Sequence, residues 1–444
     1  MQKGIPKILV LRFLNFIFEE RSTVPCPPKY NLGNTVLDTV FPQASRAFKV
    51  LLIFLLAGFS AYANAIQHPF VHDDVVFILQ NPEIENLKGS WSVFTQPFWL
   101  APQTAVINSY HRPLLEVVYR LEYALFGLYP QGYHFLNIFL HIANAFLLFV
   151  ILERVLKRTG LALTVCLIFL VHPIQSEAVA CISGISNLLS GFFALFSFYL
   201  FLRWESAGQR LYRIFPAIGS VVLFILALLA KEQVIILPFV LFLYQWLLAD
   251  KAPERPAREK YLIPFFLLLA ALAFVLLRKL SVGQGVPNVF ANPLELGMRL
   301  LAVPETLLTY LRLLVWPSDL HYYRSLDTLT SLAWTPFVFG AVVMAGWLIV
   351  QRTPRPVKNI LLFSVGWFII FLLPVLNILP LIIEYSHITT AEHFLYLPMA
   401  GAVVFFVTAL EDLLRKVPGV QRRPVNSWLA VSVTVMMIFL TLKQ

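Results

Sequence analysis

Residues 50–74 read VLLIFLLAGFSAYANAIQHPFVHDD: an apolar run from Val50 to Ile66, then the adjacent carboxylates Asp73 and Asp74. A run of about 17–25 apolar residues is long enough to cross a bilayer as a helix. Ionisable groups at its mouth are costly to place there and mark a candidate site. Composition agrees with the membrane reading, since 59% of the 444 residues are hydrophobic and 13% charged, against roughly 25% charged in ordinary soluble domains. The expected fold class is an all-α polytopic integral membrane protein.

Apolar runs begin near Val50, Tyr133, Leu161, Leu188, Ile214, Val234, Tyr261, Trp334, Ile360, Phe394 and Trp428, which gives about eleven transmembrane helices. The formal net charge of +10 does not indicate nucleic acid, because Lys and Arg stand in short clusters between apolar runs, the pattern that encodes topology. Five connections carry those clusters: 154–158, 203–213, 251–260, 352–358 and 415–423. They are expected on the cytoplasmic side, with the alternate loops outside. Met298–Trp316 is apolar but holds Arg299, Pro304, Glu305 and Arg312, so an external interfacial helix is expected there rather than a twelfth span. The domain plan is an N-terminal extension, 1–48, then a transmembrane domain, 49–444, with a large first external loop at 67–132 and an external interfacial segment at 281–332. Cys26, Cys166 and Cys181 form neither a metal motif nor a disulfide framework.

With this orientation the polar residues gather on one face. Asp73, Asp74, Trp99, Tyr110 and Arg112 belong to the first external loop. His134, Asn137 and His141 share one helical face at the start of the next span. His172, Glu177, Ser183 and Asn187 follow a later span, then Lys231 and Glu232, then Glu384, His387, Glu392 and His393. A channel or proton relay would distribute ionisable groups through the bilayer. Polar groups confined to one interface instead suit a substrate with an apolar tail and a polar head, such as a lipid-linked sugar. Transfer of the sugar to a hydroxyl needs a carboxylate base and cations for the departing phosphate. Asp73 suits the base, Asp74 a divalent-cation ligand or orienting group, and Arg112, Lys231 and Arg278 the phosphate. Trp99 and Tyr110 offer stacking faces. Ordinary duties compete: an aspartate pair can cap a helix, His and Asn can bridge membrane helices, and His172-Pro173 can simply end one.

Read in order, several strings are familiar: Phe70-Val71-His72-Asp73-Asp74 leading to Asn81-Pro82; Tyr110-His111-Arg112-Pro113-Leu114; Tyr133-His134-Phe135-Leu136-Asn137 with His141; and His172-Pro173-Ile174-Gln175-Ser176-Glu177-Ala178-Val179. Lys231-Glu232, Asn292-Pro293-Leu294 and Ala391-Glu392-His393-Phe394-Leu395-Tyr396-Leu397-Pro398 come next. From about Val50 to Gln444 the chain resembles the membrane half of the transmembrane and tetratricopeptide-repeat O-mannosyltransferases and their bacterial relatives. The resemblance implies a C-type glycosyltransferase-like fold, an active site on the lumenal or periplasmic face and a polyprenyl-phosphate sugar as donor. It implies Asp73 as catalytic, Asp74 as ligand of a divalent cation such as Mg or Mn or as an orienting neighbour, and Arg112, Lys231, Glu232, His134, His172, Glu177, Glu392 and His393 as donor-pocket contacts.

Two departures stand out. His393 occupies a place where the family usually carries Arg, exchanging a permanent charge for a titratable ring. No repeat period of about 34 residues is visible, so recognition of a protein acceptor through a repeat array is not expected. That feature, with the absence of any Asn-x-Ser/Thr sequon, points to a bacterial inner membrane with the site facing the periplasm. The acceptor is left open, and membrane lipids are the surrounding partner. The alternatives are a transporter or flippase of polyprenyl-linked glycans, or an inactive relative serving as an assembly partner.

Overall fold

A computed structural model describes residues 46–87, 92–96, 98, 111–207, 210–249, 257–282, 293–325, 334–376, 378 and 389–416. The chain separates into two units, Met1–Leu56 and Ala57–Gln444, and the second holds nearly all of the helical bundle. The expected extension 1–48 and the expected last span from Trp428 lie almost wholly or wholly outside the described residues.

The described part is built from helices: α1 Arg46–Tyr62, α2 Pro113–Phe126, α3 Pro130–Leu156, α4 Thr159–Val171, α5 Ile185–Ser206, α6 Arg210–Ala230, α7 Leu237–Leu247, α8 Leu262–Val282, α9 Pro293–Val315, α10 Thr335–Gln351, α11 Arg355–Leu372 and α12 Pro398–Leu414. Helices thus occupy ten of the eleven expected places. Six are long and apolar enough to cross a membrane, seven if the bent pair Thr159–Val171 and Pro173–Ala180 counts as one. The chain is a multi-pass membrane protein by that measure, with fewer qualifying spans than expected because several helices are shortened by breaks. α9 is not among them, and Pro304 lies inside it.

Local signals explain where helices begin and stop. Proline occupies the first turn of α2, α3, α7, α10, α11 and α12, where its missing N–H costs nothing and its fixed φ suits the helix. Gly127, at φ +57°, ends α2, its N–H returning to the Tyr123 carbonyl. Lys157 ends α3 in the same left-handed region, placing a cation at the negative end of the dipole. After α4 the chain bends by 52° at His172-Pro173, because Pro173 cannot donate to the preceding turn.

α5 packs on α6, α11 on α12, α3 between α4 and α5, α12 on α4, α7 on α11 and α8 on α6. Phe149, Phe169, Phe198, Tyr199 and Trp367 fill the interior. A buried polar network ties the bundle: the Tyr396 hydroxyl lies 2.9 Å from His141 Nδ1 and from Asn144 Nδ2, and His141 Nε2 lies 3.0 Å from the Leu170 carbonyl. Only Nε2–H can donate to that carbonyl, so Nδ1 accepts from the tyrosine.

The five basic connections gather at one end. Arg154 donates to Ser206, Arg213 pairs with Glu259 at 3.2 Å, Asn359 donates to the Leu247 carbonyl at 2.9 Å, and Arg158 pairs with Glu411. Among the described residues these contacts join 154–158 to 203–213, 203–213 to 257–260 and 154–158 to the end of α12, and set the start of α11 beside the end of α7, which fits a single membrane side. α12 approaches α11 through Gly401, where a Cβ would lie 2.6 Å from the Ser364 carbonyl and 2.8 Å from the Phe368 amide nitrogen. Gly401→Val is expected to cost about 1–3 kcal/mol of overpacking strain. It should visibly lower the thermal midpoint in detergent, whereas Gly340→Ala, inside α10 with nothing within 4 Å, should raise it slightly, since alanine favours a helix interior over glycine.

Candidate functional site

At the end opposite the basic connections, three breaks in the helical bundle converge on the paired acids. The first is the segment after α1. His72 adopts φ +48°, uncommon for a residue with a Cβ, and the two aspartates that follow it, consecutive in a helical turn, meet different surroundings. Asp74 is fully buried. Its carboxylate accepts from the amides of Ser183 at 2.7 Å, Val71 at 3.1 Å and Ile182 at 3.4 Å. Ile182–Gly184 is a 3-10 turn that runs into α5, so Asp74 caps the N-terminus of a helix more than 100 residues away in sequence, satisfying donors that a helix start leaves orphaned. Burial raises its pKa and the amide bonds oppose the rise. The capping duty considered from sequence is therefore real, but it serves another helix.

The Asp74 oxygens are thus engaged by backbone amides rather than by other carboxylates. Among the described residues no group of three or more His, Cys, Asp or Glu is arranged to hold a metal ion.

Asp73 turns the other way, into a cavity of about 920 Å³ including its open mouth. Arg112, Glu177, Lys231, Glu232 and His393 line the same cavity, with Asn187, Tyr322 and Tyr323. Arg112 precedes Pro113 at the head of α2 and is forked onto Glu232, Nε at 3.0 Å and Nη2 at 2.8 Å, the bidentate geometry a guanidinium favours. Lys231 sits at the break between α6 and the turn Glu232–Ile236. Its Nζ donates to Asn187 Oδ1 at 2.6 Å and lies 5.8 Å from the Phe394 ring centre. Burial first, and the Arg112 charge second, bring its pKa down to about 7 despite the nearby Glu232, Glu177 and Asp73.

The third break supplies Glu177 and the segment before α12. Glu177 Oε2 accepts from the His393 amide at 2.9 Å, and Oε1 lies 2.5 Å from His393 Nδ1. Burial, then the charges of Lys231 and Arg112, hold the His393 pKa well below its ordinary value. The ring is neutral, so the cationic role expected where Arg is usual falls to Arg112 and Lys231. Glu392 is turned away from the cavity: it accepts from Arg324 Nη1 at 2.6 Å and from the His321 amide at 2.9 Å.

Two residues expected as donor contacts bond to backbone and stand off the cavity wall. His172 Nδ1 accepts from the Ile174 amide at 3.2 Å, which leaves Nε2–H to donate to the Leu314 carbonyl at 3.1 Å. It pins the 52° bend to the end of α9. His134 Nε2 meets the His68 carbonyl at 3.1 Å, holding the chain after α1 against α3. Its helical neighbour Asn137 donates to the Cys181 carbonyl at 2.9 Å. That face of α3 organises backbone, and neither histidine lines the cavity. Arg278 acts on the site through its charge, felt at Glu232 and His111. Trp99, Tyr110, Glu384 and His387 lie outside the described residues. Tyr322, Tyr323 and Arg324 were not expected from sequence. Their only signal was an aromatic pair beside a cation within the external segment 281–332.

With acid, cations and aromatic walls assembled at one end of a membrane bundle, comparison with known proteins is informative. The human protein O-mannosyl-transferase TMTC1 is 36% identical over 161 residues, covering 35% of this chain and 18% of that protein. A Caenorhabditis elegans protein O-mannosyl-transferase, F38B6.6, is 26% identical over 378 residues, covering 80% of this chain and 50% of its own length. The chain is a relative of the protein O-mannosyl-transferases. Mouse TMTC3 is 28% identical over 295 residues, covering 66% of this chain and 30% of that protein. The chain thus matches half or less of the length of these relatives. No protein-family model matches it. A solved oligosaccharyltransferase from Archaeoglobus fulgidus aligns over 88% of this chain and 53% of that one, at 14% identity and a TM-score of 0.42, a level that carries no argument. The relatives named are animal proteins, and the bacterial placement expected from sequence draws no support from them.

Removing the Asp74 carboxylate strands three amides, each lost hydrogen bond to a charged group being worth about 1.5–3 kcal/mol. Asp74→Ala is therefore expected to lower the thermal midpoint sharply and Asp73→Asn to leave it nearly unchanged, as read by unfolding of the detergent-purified proteins.

Proposed function

We propose that the chain is a membrane glycosyltransferase that moves a sugar from a polyprenyl-phosphate donor to a hydroxyl acceptor on the extracytoplasmic face. The observation that carries this reading is that Asp73, Arg112 and Lys231 line one cavity at the end of the bundle remote from all five basic connections. Kinship with the O-mannosyl-transferases supports the chemistry, and the positive-inside rule supports the face.

In this mechanism Asp73 takes the proton from the acceptor hydroxyl as its oxygen attacks the anomeric carbon. The bond from that carbon to the phosphate oxygen breaks, and the oxygen leaves with the electron pair. Positive charge develops on the sugar ring in the transition state, and a carboxylate close by tolerates it. Arg112 and Lys231 meet the charge growing on the phosphate. Glu232 keeps the Arg112 fork aimed, and Asn187 keeps Lys231 extended into the cavity. The apolar tail of the donor remains in the bilayer, where burial needs no special site.

Lys231 sets a pH limit. Its pKa, lowered to about 7, means that the ammonium is present below that pH and lost above it. Donor kcat/KM, which reports the free enzyme, should therefore fall as pH rises through about 7. Lys231→Met should reduce transfer by roughly 10²–10³-fold at about pH 6, the usual effect of deleting one charge-stabilising donor, and should remove that limb. The direct test is to incubate vesicles containing the protein with radiolabelled polyprenyl-phosphate sugars and follow the label. Transfer to an acceptor by the native chain, abolished in a folded Asp73→Asn variant, is expected. Movement of labelled lipid across the vesicle without a new glycosidic bond would instead identify a flippase.

A further inference from the structure

Glu177 and His393 touch at two points. Glu177 Oε2 accepts from the His393 amide at 2.9 Å, and Oε1 lies 2.5 Å from His393 Nδ1. This fixes both the carboxyl and the ring edge that faces it. Further contacts hold the stretch that carries the ring. Glu392 accepts from Arg324 at 2.6 Å and from the His321 amide at 2.9 Å, and a two-residue antiparallel ladder joins β1 Arg324–Ser325 to β2 Thr389–Thr390. Tyr323 meets the His393 ring edge-on with centroids 5.9 Å apart, and the Phe394 ring centre lies 4.5 Å away.

The other ring nitrogen is placed differently. Nε2 has no hydrogen-bond partner among the described residues and is open rather than sealed, unlike His111 Nε2 and His134 Nδ1. His393 lines the cavity together with Arg112 and Lys231, so this nitrogen stands on the wall that attracts an anionic group. A neutral imidazole held by a carboxyl at one nitrogen has two forms. With Glu177 protonated, its O–H donates to Nδ1 and Nε2 carries the ring proton. With Glu177 ionised, Nδ1–H donates to the carboxylate and Nε2 is bare. The bond from the His393 amide to Oε2 is the same in both. Each side chain is 11% exposed, and burial favours an uncharged acid beside an uncharged ring over an ion pair. The ionisable groups around the pair are Lys231, Arg112 and Asp73 across the cavity, Tyr322 and Tyr323 from the segment after α9, and Glu392 on the same stretch. Burial first, then the two cations, keeps the ring uncharged.

We propose that Glu177 and His393 form a proton relay for the departing phosphate: Nε2 gives its proton to a phosphate oxygen while Nδ1 takes the carboxyl proton of Glu177. The inference rests on the reading of the cavity as a site of sugar transfer. Breaking the bond from the anomeric carbon leaves the electron pair on the phosphate oxygen and turns a singly charged diester into a doubly charged monoester, whose second pKa is about 6. The relay returns that product to one negative charge. The protons balance: the acceptor hydroxyl loses one to Asp73, the phosphate gains one from Nε2, and the pair is left as a carboxylate with Nδ1–H. A proton passed through water from Asp73 to Nε2, with the reverse shift at Nδ1, restores both groups. A titratable ring at 393 suits this duty where an arginine would not, because a guanidinium does not give up its proton in proteins.

Glu177→Gln is the variant that tests the relay. Its amide accepts from the His393 N–H and donates to Nδ1, keeping both contacts, yet has no proton to give. Two readouts are made on the full chain in detergent. The first is nitrogen-15 NMR of chains labelled at histidine, with the His393 resonances assigned by their loss in His393→Gln. Between about pH 5 and 9, where buried acids titrate, the native ring should move its proton from Nε2 at the acid end to Nδ1 at the alkaline end. In Glu177→Gln it should keep Nε2–H throughout. The second readout is turnover with a labelled polyprenyl-phosphate sugar. In Glu177→Gln kcat should fall roughly 10²-fold, the lower range for one general acid, with the donor KM little changed. A purely structural contact predicts native turnover in this variant, and that result would overturn the proposal. Sugar transfer by a native chain whose ring keeps one tautomer overturns the relay and leaves the glycosyltransferase reading. A native chain that switches tautomer and transfers no sugar overturns that reading instead.

Discussion

A buried carboxylate bonded to three amides is what the site depends on. Asp74 has no exposed surface, and a buried charge is sustained only where hydrogen bonds replace its water. Ser183, Ile182 and Val71 provide those bonds, and two of the amides open the turn into α5. One interaction thus satisfies a helix start and anchors the segment after α1, whose Asp73 lines the cavity. Glycine at 184 is needed for the same turn, since a Cβ there would lie 2.3 Å from the Ala178 carbonyl.

The cavity exists because helices break at one end and pass intact at the other. Non-helical backbone at membrane depth is tolerated only where it is buried in protein or lines a wet cavity, and the breaks near His172-Pro173, at Lys231 and before Pro398 meet this condition together. Polar groups freed by each break are used by its neighbours. Asn137 collects carbonyls from the turn after Ala180, Gln233 donates to the Phe394 carbonyl at 3.0 Å, and His172 joins its bend to α9. The result is a set of charges in fixed positions, Arg112 against Glu232 and Lys231 against Asn187, in largely buried surroundings where electrostatic contacts are stronger than at an open surface.

Much of this was legible in the chain. Apolar runs located ten helices in the right places, because a stretch of Leu, Phe and Ile has one stable way to satisfy its backbone in lipid. The basic clusters pointed to a shared side for loops whose described residues contact one another in the fold, since Lys and Arg are costly to translocate. Asp73, Arg112, Glu177, Lys231, Glu232 and His393, singled out as ionisable groups at the ends of apolar runs, line one cavity. Span number was less legible: α4 and α7 are cut short by bends, and hydropathy averages over a bend without detecting it. His134 and His172 bind backbone and Glu392 holds Arg324, and none of the three lines the cavity, because a polar residue that braces the fold looks the same in sequence as one that faces a cavity.

By itself, then, the sequence determined the membrane class and drew attention to the ionisable groups at the ends of apolar runs, since both follow from the cost of placing charge against hydrocarbon. Only the tertiary structure decided which of two adjacent aspartates faces the cavity. The two have the same chemistry and neighbouring positions. Their surroundings separate through the amides of Ile182 and Ser183, more than 100 residues away, which engage Asp74, a distance over which composition and spacing carry no information.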